Sequence, residues 1–285
     1  MMNVHPSIHT TYYRFLSPED AIRGLVKGGF HHGDFNYAQG KILLARGESR
    51  EKTARDFKQF LDDVGFSVPQ AHLEHLPDLT LQEVVDDRKR EIDFFYDIGV
   101  RYAIVHLSGG KDYPQDVRRE KNIASLRHLQ DHVRGTDMTI CVENMNSIHT
   151  IRDGKRIMQI LDDLGYTNLG VCLDTGHLNS GIVKEYTTES HREFILRTGP
   201  YLKALHLNGN TGRSDQHVAP FCNINAPDFM DILRALHEVN YTGLLSLENT
   251  GDCGDDVPRE VLDRKLLYLR DLLGLMMDPD FIKTN

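Results

Sequence analysis

Residues 138–177 have the sequence MTICVENMNSIHTIRDGKRIMQILDDLGYTNLGVCLDTGH, which contains one structural unit and the strand that begins the next. The apolar run at residues 138–143 predicts a buried strand, and the amphipathic segment at residues 150–164 predicts a helix. Gly165 then ends the helix, and residues 169–174 predict a second buried strand. This order of strand, helix and strand is typical of a βα unit in a parallel sheet.

The same alternation extends in both directions and gives eight such units along the chain. Strands are predicted at residues 4–12, 30–36, 67–72, 102–107, 138–143, 169–174, 204–207 and 244–248. Helices are predicted from Pro18, after the N-cap Ser17, and at residues 50–64, 81–98, 115–133, 150–164, 184–197, 226–239 and 258–273. Glycines such as Gly65 and Gly99 follow these helices, as expected for left-handed C-caps.

Eight βα units in 285 residues predict an α/β fold, a single (β/α)8 TIM barrel formed by one domain over residues 1–285. A doubly wound open sheet is the alternative fold. It is disfavoured because no glycine loop typical of nucleotide binding follows the first strand.

The composition excludes several classes of protein. The chain has no long apolar run, and its N-terminus has no charged head followed by an apolar core, so we expect neither a membrane span nor a secretory signal and predict a cytoplasmic protein. The net charge of −9 disfavours nucleic acid as a partner, since nucleic-acid binders present basic surfaces. The four cysteines stand singly, which indicates reduced thiols in or near the core rather than disulfides or a zinc ribbon.

Histidines and carboxylates recur at the ends of the predicted strands. In a (β/α)8 barrel the active site lies at the carboxyl ends of the strands, so polar residues at these positions are candidates for function. Six consecutive strands supply them, and the loop after the seventh strand supplies two more. The candidates are His72, His106, Glu143, Asp174 with His177, His206 with Asp215 and His217, and Glu248.

Carboxylates that converge at one barrel mouth repel one another unless a cation lies between them. Glu143, Asp174 and Glu248 would supply three negative charges and His206 a neutral nitrogen. Oxygen ligands with one imidazole suit a divalent metal ion, and we favour Mn²⁺, with Zn²⁺, Co²⁺ and Mg²⁺ as alternatives.

Weaker candidates lie near the same strand ends. Arg213, in the loop after strand seven, is a candidate for binding a substrate oxygen or phosphate, or is a solvated loop residue. Residues 31–34 (HHGD) in strand two could line the pocket, although only one of two adjacent histidines can face the interior. Tyr12 and Phe35 are candidates for stacking on a small-molecule ligand.

The succession of strand-end motifs resembles a known superfamily. The motifs are QAH from residue 70, VHLSG from 105, VENMN from 142, CLDTGH from 172, LHLNGN from 205, SDQH from 214 and SLEN from 246. Together they resemble the xylose isomerase-like barrel superfamily, which includes sugar-phosphate isomerases and epimerases as well as endonuclease IV-type apurinic endonucleases. The resemblance covers residues 4–270, and the LDTGH and HLNGN…SDQH segments are its most specific parts.

The resemblance implies a role for several of these residues. Glu143, Asp174, His206 and Glu248 would be the ligands of the metal shared across the superfamily, and His177 would contact the substrate or a second metal. Similar enzymes use the two glutamates as the proton-transfer pair, so Glu143 and Glu248 would be catalytic. The first hypothesis is therefore a metal-dependent isomerase or epimerase acting through an enediolate on a sugar, sugar phosphate or related keto compound.

The second hypothesis is an endonuclease IV-like phosphodiesterase with three zinc ions. All nine ligand positions of that site have a match in this chain, namely His72, His106, Glu143, Asp174, His177, His206, Asp215, His217 and Glu248. Three features disfavour it. The first strand lacks the AHVS-type motif, NGN at 208–210 replaces the usual Asn-Asp, and VAPFCNIN follows His217 where those nucleases have a glycine-rich turn.

Two further alternatives are a metal-dependent lyase or dehydratase on a carbonyl substrate, and a barrel with a structural or vestigial metal site. The vestigial site is disfavoured because all four ligands of the shared metal are present. The expected partner is a small carbohydrate, and superfamily members often form homo-oligomers. The sequence does not specify the sugar, its phosphorylation state or the carbon acted on.

Overall fold

Eight parallel strands form the centre of the molecule. The computed structural model describes residues 4–74, 81–107, 113–147, 151–248 and 257–283. The strands are β1 (His5–His9), β2 (His32–Asn36), β3 (Ser67–His72), β4 (Tyr102–Val105), β5 (Thr139–Glu143), β6 (Leu169–Asp174), β7 (Leu202–His206) and β8 (Leu244–Leu247). All eight lie where the sequence predicts a strand, and β3 and β6 have the predicted bounds.

Helices follow the strands along the chain. Within the described ranges these are α1 (Pro18–Lys27), α2 (Tyr37–Leu44), α3 (Arg50–Asp63), α4 (Gln82–Ile98), α5 (Gln115–His132), α6 (Gly154–Leu164), α7 (Thr175–Val183), α8 (His191–Thr198), α9 (Phe229–Glu238), α10 (Arg259–Met277) and α11 (Pro279–Lys283). Short 3-10 helices occur at Thr10–Tyr13 and Gly199–Tyr201.

The strand order makes the sheet a barrel. From β1 to β7 each strand pairs in parallel with the next strand in sequence, and β1 also pairs with β8. A parallel bridge between Leu207 and Leu247 joins the end of β7 to β8 and closes the circle. The predicted (β/α)8 barrel is therefore confirmed, and the open sheet is not the fold.

Burial explains why these segments form strands and helices. All six residues of β6 are buried, as expected for a parallel strand covered on both faces. Helix α6 instead buries one stripe, with Ile157, Ile160 and Leu161 against the core, and begins at the N-cap Asp153. The predicted C-cap glycines have positive φ angles, +67° at Gly65 and +108° at Gly99.

Several boundaries differ from the prediction. Strand β1 ends at His9 rather than residue 12, because Tyr12 and Tyr13 turn away to pack beside α10, where the Tyr12 hydroxyl donates to the Leu262 carbonyl. Helix α8 begins at His191 rather than at residue 184, because Ser190 and Glu193 form a capping box there. Helices α2, α7 and α11 were not predicted. The predicted first residue of α6, Thr150, lies outside the described residues, and α6 begins at Gly154.

Candidate metal centre

The barrel brings all nine predicted ligand residues to its carboxyl-end mouth. Four are the last residues of their strands, namely His72, Glu143, Asp174 and His206. His106 and Glu248 lie one residue beyond β4 and β8. His177 lies in the first turn of α7, and Asp215 and His217 lie in the loop between β7 and α9.

These side chains form three groups, two of which share Glu143, and His177 Nδ1 of the third lies 3.1 Å from Glu143 Oε1. In each group one ligand atom from every residue lies within 4.8 Å of the others. We call them the four-ligand group (Glu143, Asp174, His206 and Glu248), the His72 group (His72, His106 and Glu143) and the His177 group (His177, Asp215 and His217). The residues of each group are of the types that bind divalent transition metals.

Hydrogen bonds to fixed acceptors determine which histidine nitrogen faces each group. The Nδ1 of His72 lies 2.8 Å from the Leu73 carbonyl oxygen and must donate to it, so Nε2 faces the group. His217 has the same arrangement, with Nδ1 3.1 Å from the carbonyl oxygen of Glu248. Such a partner on the outer nitrogen fixes the tautomer and orientation of a metal-binding histidine.

In the His72 group, the Nε2 atoms of His72 and His106 point at each other. The Nε2 atoms of His72 and His106 are 2.9 Å apart, and His106 Nε2 is also 2.9 Å from Glu143 Oε2. Because His72 carries its proton on Nδ1, its Nε2 is an acceptor. One proton on His106 Nε2, or a metal ion in its place, satisfies these atoms.

The four-ligand group contains two buried atoms that lack a hydrogen-bond partner among the described residues, His206 Nδ1 and Glu248 Oε2. They lie 3.3 Å apart, and His206 Nδ1 is 3.4 Å from Glu143 Oε1. Unpartnered buried polar atoms are costly in a protein interior. Their convergence with two further carboxylates fits a divalent cation and supports this group as a metal site.

The pKa values of these groups reflect their burial and their mutual interactions. Burial raises the pKa of Glu248 to about 8, against the opposing effect of His206 and His217. Burial opposes the charge on His217, but Glu248 and Asp215 raise its pKa to about 10. Burial and the neighbouring His106 lower the pKa of His72 to about 3. In the absence of metal, protons on some of these histidines therefore balance the carboxylates.

Asp174 is held in place by hydrogen bonds to both of its oxygens. The backbone N–H of His177 donates to Oδ1 over 2.5 Å, which makes Asp174 the N-cap of α7. The side-chain amide of Asn208 donates to Oδ2 over 2.6 Å. Gly176 permits this contact, because a Cβ atom there would lie 1.9 Å from Asn208 Oδ1. The close approach of Asn208 to the backbone of Gly176 thus explains both the glycine of LDTGH and the first asparagine of HLNGN.

Sequence reasoning missed two polar residues that support the site. Asn144 exchanges hydrogen bonds with the backbone of Asp174, over 2.8 and 2.9 Å. His9, at the end of β1, is buried, and burial lowers its pKa to about 4. Its Nε2 accepts from Asn36 over 3.2 Å. His9 is the last residue of β1, and this position would have marked it as a candidate. The sequence instead predicts that the strand extends three residues further, to residue 12, so His9 was not recognised as a strand end.

Strand β2 supplies Asp34 to the interior, whereas His31 and His32 lie elsewhere. His31 contacts the Gly65 carbonyl over 3.1 Å, and His32 contacts the Ser67 hydroxyl over 2.8 Å, both near the start of β3. Asp34 is fully buried, and although burial opposes its charge, the hydrogen bond to His206 lowers its pKa. Asp34 is therefore the residue of the HHGD segment that reaches the candidate metal centre, through its contact with His206.

The aromatic candidates do not face the mouth, and their predicted stacking role is wrong. Phe35 packs against Phe57 and Phe95, with ring centroids 5.5 and 5.8 Å apart, between the sheet and the helices. Tyr12 is buried beside α10. Arg213 is exposed, two residues from Asp215.

The cysteines are mostly as expected. Cys141 and Cys172 are buried, whereas Cys222 is exposed and Cys253 lies outside the described residues. Cys172 lies close to Glu143 and His206, but burial raises the pKa of its thiol and favours the neutral form. Together with Glu143 and His206 it forms a further group, which overlaps the four-ligand group and was not predicted from the sequence.

A parallel barrel with carboxylates and histidines gathered at its carboxyl-end mouth belongs to the class of (β/α)8 proteins that build their active sites there. Residues 29–272 match the family described as the xylose isomerase-like TIM barrel, and the chain belongs to this family. The predicted family is thus confirmed.

The similar proteins include an epimerase and a probable endonuclease, which correspond to the two hypotheses. A D-psicose 3-epimerase of Agrobacterium fabrum is 25% identical over 170 residues, 54% of this chain and 54% of that protein. A probable endonuclease 4 of Ureaplasma parvum is 27% identical over 126 residues, 42% of this chain and 41% of that protein. The chain thus spans about half, or less, of the length of these relatives.

The fold is also that of solved sugar epimerases. The structure of D-psicose 3-epimerase from Clostridium cellulolyticum H10 matches with a TM-score of 0.77, at 15% identity, over 96% of this chain and 100% of that chain. The structure of an L-ribulose 3-epimerase matches with a TM-score of 0.72, at 19% identity, over 96% of this chain and 94% of that chain. At these identities the likeness shows the fold alone. In the described part of the chain, no helix has the length and apolarity needed to cross a membrane.

Proposed function

We propose that this protein is a metal-dependent sugar isomerase or epimerase, which moves a proton at a carbon next to a carbonyl group. The observation that carries the proposal is the four-ligand group. Glu143 from β5 and Glu248 from the end of β8 both approach His206 Nδ1, over 3.4 and 3.3 Å. Two carboxylates and an imidazole at one point of the mouth are suited to proton transfer beside a metal-bound substrate.

The chain's own residues hold the metal and handle the proton. Glu143, Asp174, His206 and Glu248 would hold one divalent ion, Mn²⁺ in our preferred assignment, with Zn²⁺, Co²⁺ and Mg²⁺ as alternatives. When bound, the ion would supply Lewis-acid stabilisation of the negative charge that develops on the substrate oxygen. The residues that we assign to proton transfer are Glu143 and Glu248.

The two glutamates differ in their access to a substrate. The side chain of Glu143 is 1% exposed, and its Oε2 is engaged by His106. The side chain of Glu248 is 13% exposed, although its Oε2 is buried and lies 3.3 Å from His206 Nδ1. A general base must lie within hydrogen-bond reach of the proton that it removes. We therefore assign Glu248 to the substrate-facing proton transfer and Glu143 to the enclosed side of the site.

The similarity to sugar 3-epimerases supports a ketose substrate. Both the Agrobacterium relative and the Clostridium structure are named as D-psicose 3-epimerases, which act next to the ketose carbonyl. We extend the substrate class, a ketose or related keto compound, to this chain. Its exact sugar, the binding role of Arg213, a homo-oligomeric state, the single domain over residues 1–285 and a cytoplasmic location stay predictions.

The test combines metal analysis with isotope exchange. The wild-type protein, loaded with Mn²⁺ and mixed with a panel of ketohexoses in D₂O, is expected to incorporate deuterium at the carbon next to the carbonyl of at least one sugar. Glu248→Gln is expected to abolish the exchange and to weaken metal binding, because the residue is assigned both roles. Glu260→Gln, an exposed residue in the first turn of α10, is the control and should behave as wild type. Full exchange by Glu248→Gln would refute the mechanism.

A second candidate function is a phosphodiesterase of the endonuclease IV type with three metal ions. The observation that favours it is the presence of the His72 and His177 groups beside the four-ligand group, which a single metal ion does not require. The probable endonuclease 4 of Ureaplasma parvum supports the same candidate. Three zinc ions per chain, together with cleavage of a duplex that contains an abasic site, would replace the isomerase proposal.

A further inference from the structure

Asp34 is a buried carboxylate that lies beneath the metal centre and is not one of its predicted ligands. It is fully buried on β2, and its Oδ2 lies 2.7 Å from His206 Nε2. The register pairs Asp34 with Gln70 and Asn36 with His72. Asp34 therefore lies two residues deeper along its strand than the level of the ligand His72.

This contact decides how His206 can bind a metal ion. A carboxylate only accepts hydrogen bonds, so the proton of the neutral ring lies on Nε2 and the lone pair lies on Nδ1. Nδ1 is the atom that faces Glu143 Oε1 and Glu248 Oε2, at 3.4 and 3.3 Å. We propose that Asp34 is a positioning residue that holds His206 in the tautomer and orientation in which Nδ1 is the metal ligand.

The arrangement at His206 is the reverse of that at two other histidines of the cluster. His72 and His217 donate from Nδ1 to backbone carbonyls and present Nε2. His206 donates from Nε2 to an ionisable side chain and presents Nδ1. A carboxylate behind a metal-bound imidazole raises its basicity as well as fixing its orientation. The buried charge of Asp34 thus has a function that a backbone carbonyl would not fully supply.

Gln70 holds the carboxylate in turn. Its Nε2 donates to Asp34 Oδ2 over 2.7 Å and lies 3.3 Å from the Leu205 carbonyl oxygen. One oxygen of Asp34 therefore receives two donors from β3 and β7, the strands that carry His72 and His206. This links the position of Asp34 to the backbone beside the ligand that it orients.

The inference rests on the metal site of the proposed function and not on the reaction, so it is tested by metal binding and spectroscopy. Zn²⁺ affinity is measured by chelator competition for wild type, Asp34→Asn and Asp34→Ala. Ser246→Ala is the matched control, because it removes another buried polar contact of the barrel, the one of 3.3 Å between Ser246 and Ser7. Both Asp34 variants should bind one zinc ion about 10–100-fold more weakly than wild type and the control.

A second measurement separates positioning from general destabilisation. In zinc-loaded protein labelled with ¹⁵N-histidine, His206 of the wild type should show a protonated Nε2 and a metal-bound Nδ1, and Asp34→Asn should lose this pattern. The signals of His72 and His217 should be unchanged, which also shows that the variant is folded. Wild-type affinity with an unchanged His206 pattern in Asp34→Asn would overturn the inference, as would a wild type whose His206 does not bind zinc.

The outcome for Asp34 is distinct from the outcome for the proposed reaction. A protein that binds zinc in an Asp34-dependent manner but exchanges no deuterium into any ketose would refute the isomerase proposal and keep the inference. If the Asp34 variants isomerise a sugar and bind metal as well as the wild type does, the inference is refuted and the isomerase proposal is kept.

Discussion

Gly176→Ala should both destabilise the protein and weaken its metal site. The new Cβ would lie 1.9 Å from Asn208 Oδ1 and 2.8 Å from Asn210 Nδ2. Ordinary contact begins near 3.4 Å, so the Asn208 amide would have to withdraw by about 1.5 Å. That movement breaks its 2.6 Å hydrogen bond to the Asp174 carboxylate.

The expected loss of stability follows from three contributions. Overpacking of a well-packed site costs about 1–3 kcal/mol. Loss of a hydrogen bond to a charged group costs about 1.5–3 kcal/mol. Alanine in place of glycine in a helix offsets about 1 kcal/mol, since Gly176 lies in α7 and has no positive φ. The net expectation is a free energy of unfolding lower by about 3 kcal/mol.

The assay is urea unfolding of metal-free and metal-loaded protein, with metal affinity measured in parallel. The control is Gly274→Ala in α10, where an added Cβ meets nothing within 4 Å. The control should be neutral or more stable than wild type by up to about 1 kcal/mol, because only the helix propensity changes. A Gly176→Ala protein as stable as this control, with wild-type metal affinity, would refute the explanation of the LDTGH glycine.

Two further predictions concern the metal. Because the pKa of His217 is raised to about 10, a metal ion at the His177 group must displace a proton, so its affinity should increase with pH up to about pH 10, by about tenfold per unit for each proton displaced. Competition titrations across this range check the slope, and a flat profile would contradict it. Removal of metal with a chelator should lower Tm, because an ion at 100 times its Kd stabilises the folded state by about 2.7 kcal/mol. Melting curves that do not respond to added Mn²⁺ or Zn²⁺ would contradict a metal site in the folded chain.

The barrel could be predicted from sequence because buried parallel strands and amphipathic helices have different periods. Helix α7 was missed for a physical reason. Its residues from Thr175 to Gly181 are all buried, so it has no polar face and no helical period to detect. It begins at the last residue of β6, where Asp174 is both strand end and N-cap. The LDTGH segment, which was interpreted as a strand end followed by a turn, is therefore also the start of α7.

The candidate ligands could be predicted because the carboxyl ends of parallel strands meet at one mouth, whatever lies between them in sequence. The roles of the supporting residues could not, although the HHGD segment that contains Asp34 could be named as possible pocket lining. Asp34 is identical in type to many surface aspartates, and its role depends on His206, which is 172 residues away in the chain. Asn208 acquires its role only from the absence of a Cβ at Gly176. Contacts of this kind exist only after the barrel has closed.

The charge of the mouth links the number of bound metal ions to the class of substrate. The ligands of the three groups include four carboxylates, Glu143, Asp174, Asp215 and Glu248. With one divalent ion in the four-ligand group, the four carboxylates and the ion sum to a charge of −2. His177 and His217 then stay protonated, because Asp174 and Glu248 raise their pKa values against the effect of burial, and they bring the ligand set to a net charge of about zero, which suits a neutral sugar and does not attract a phosphodiester. With three divalent ions the same residues carry +2, which attracts a phosphodiester. We therefore propose that the His72 and His177 groups determine the reaction class, and we expect a change in their metal occupancy to change which substrates this mouth admits.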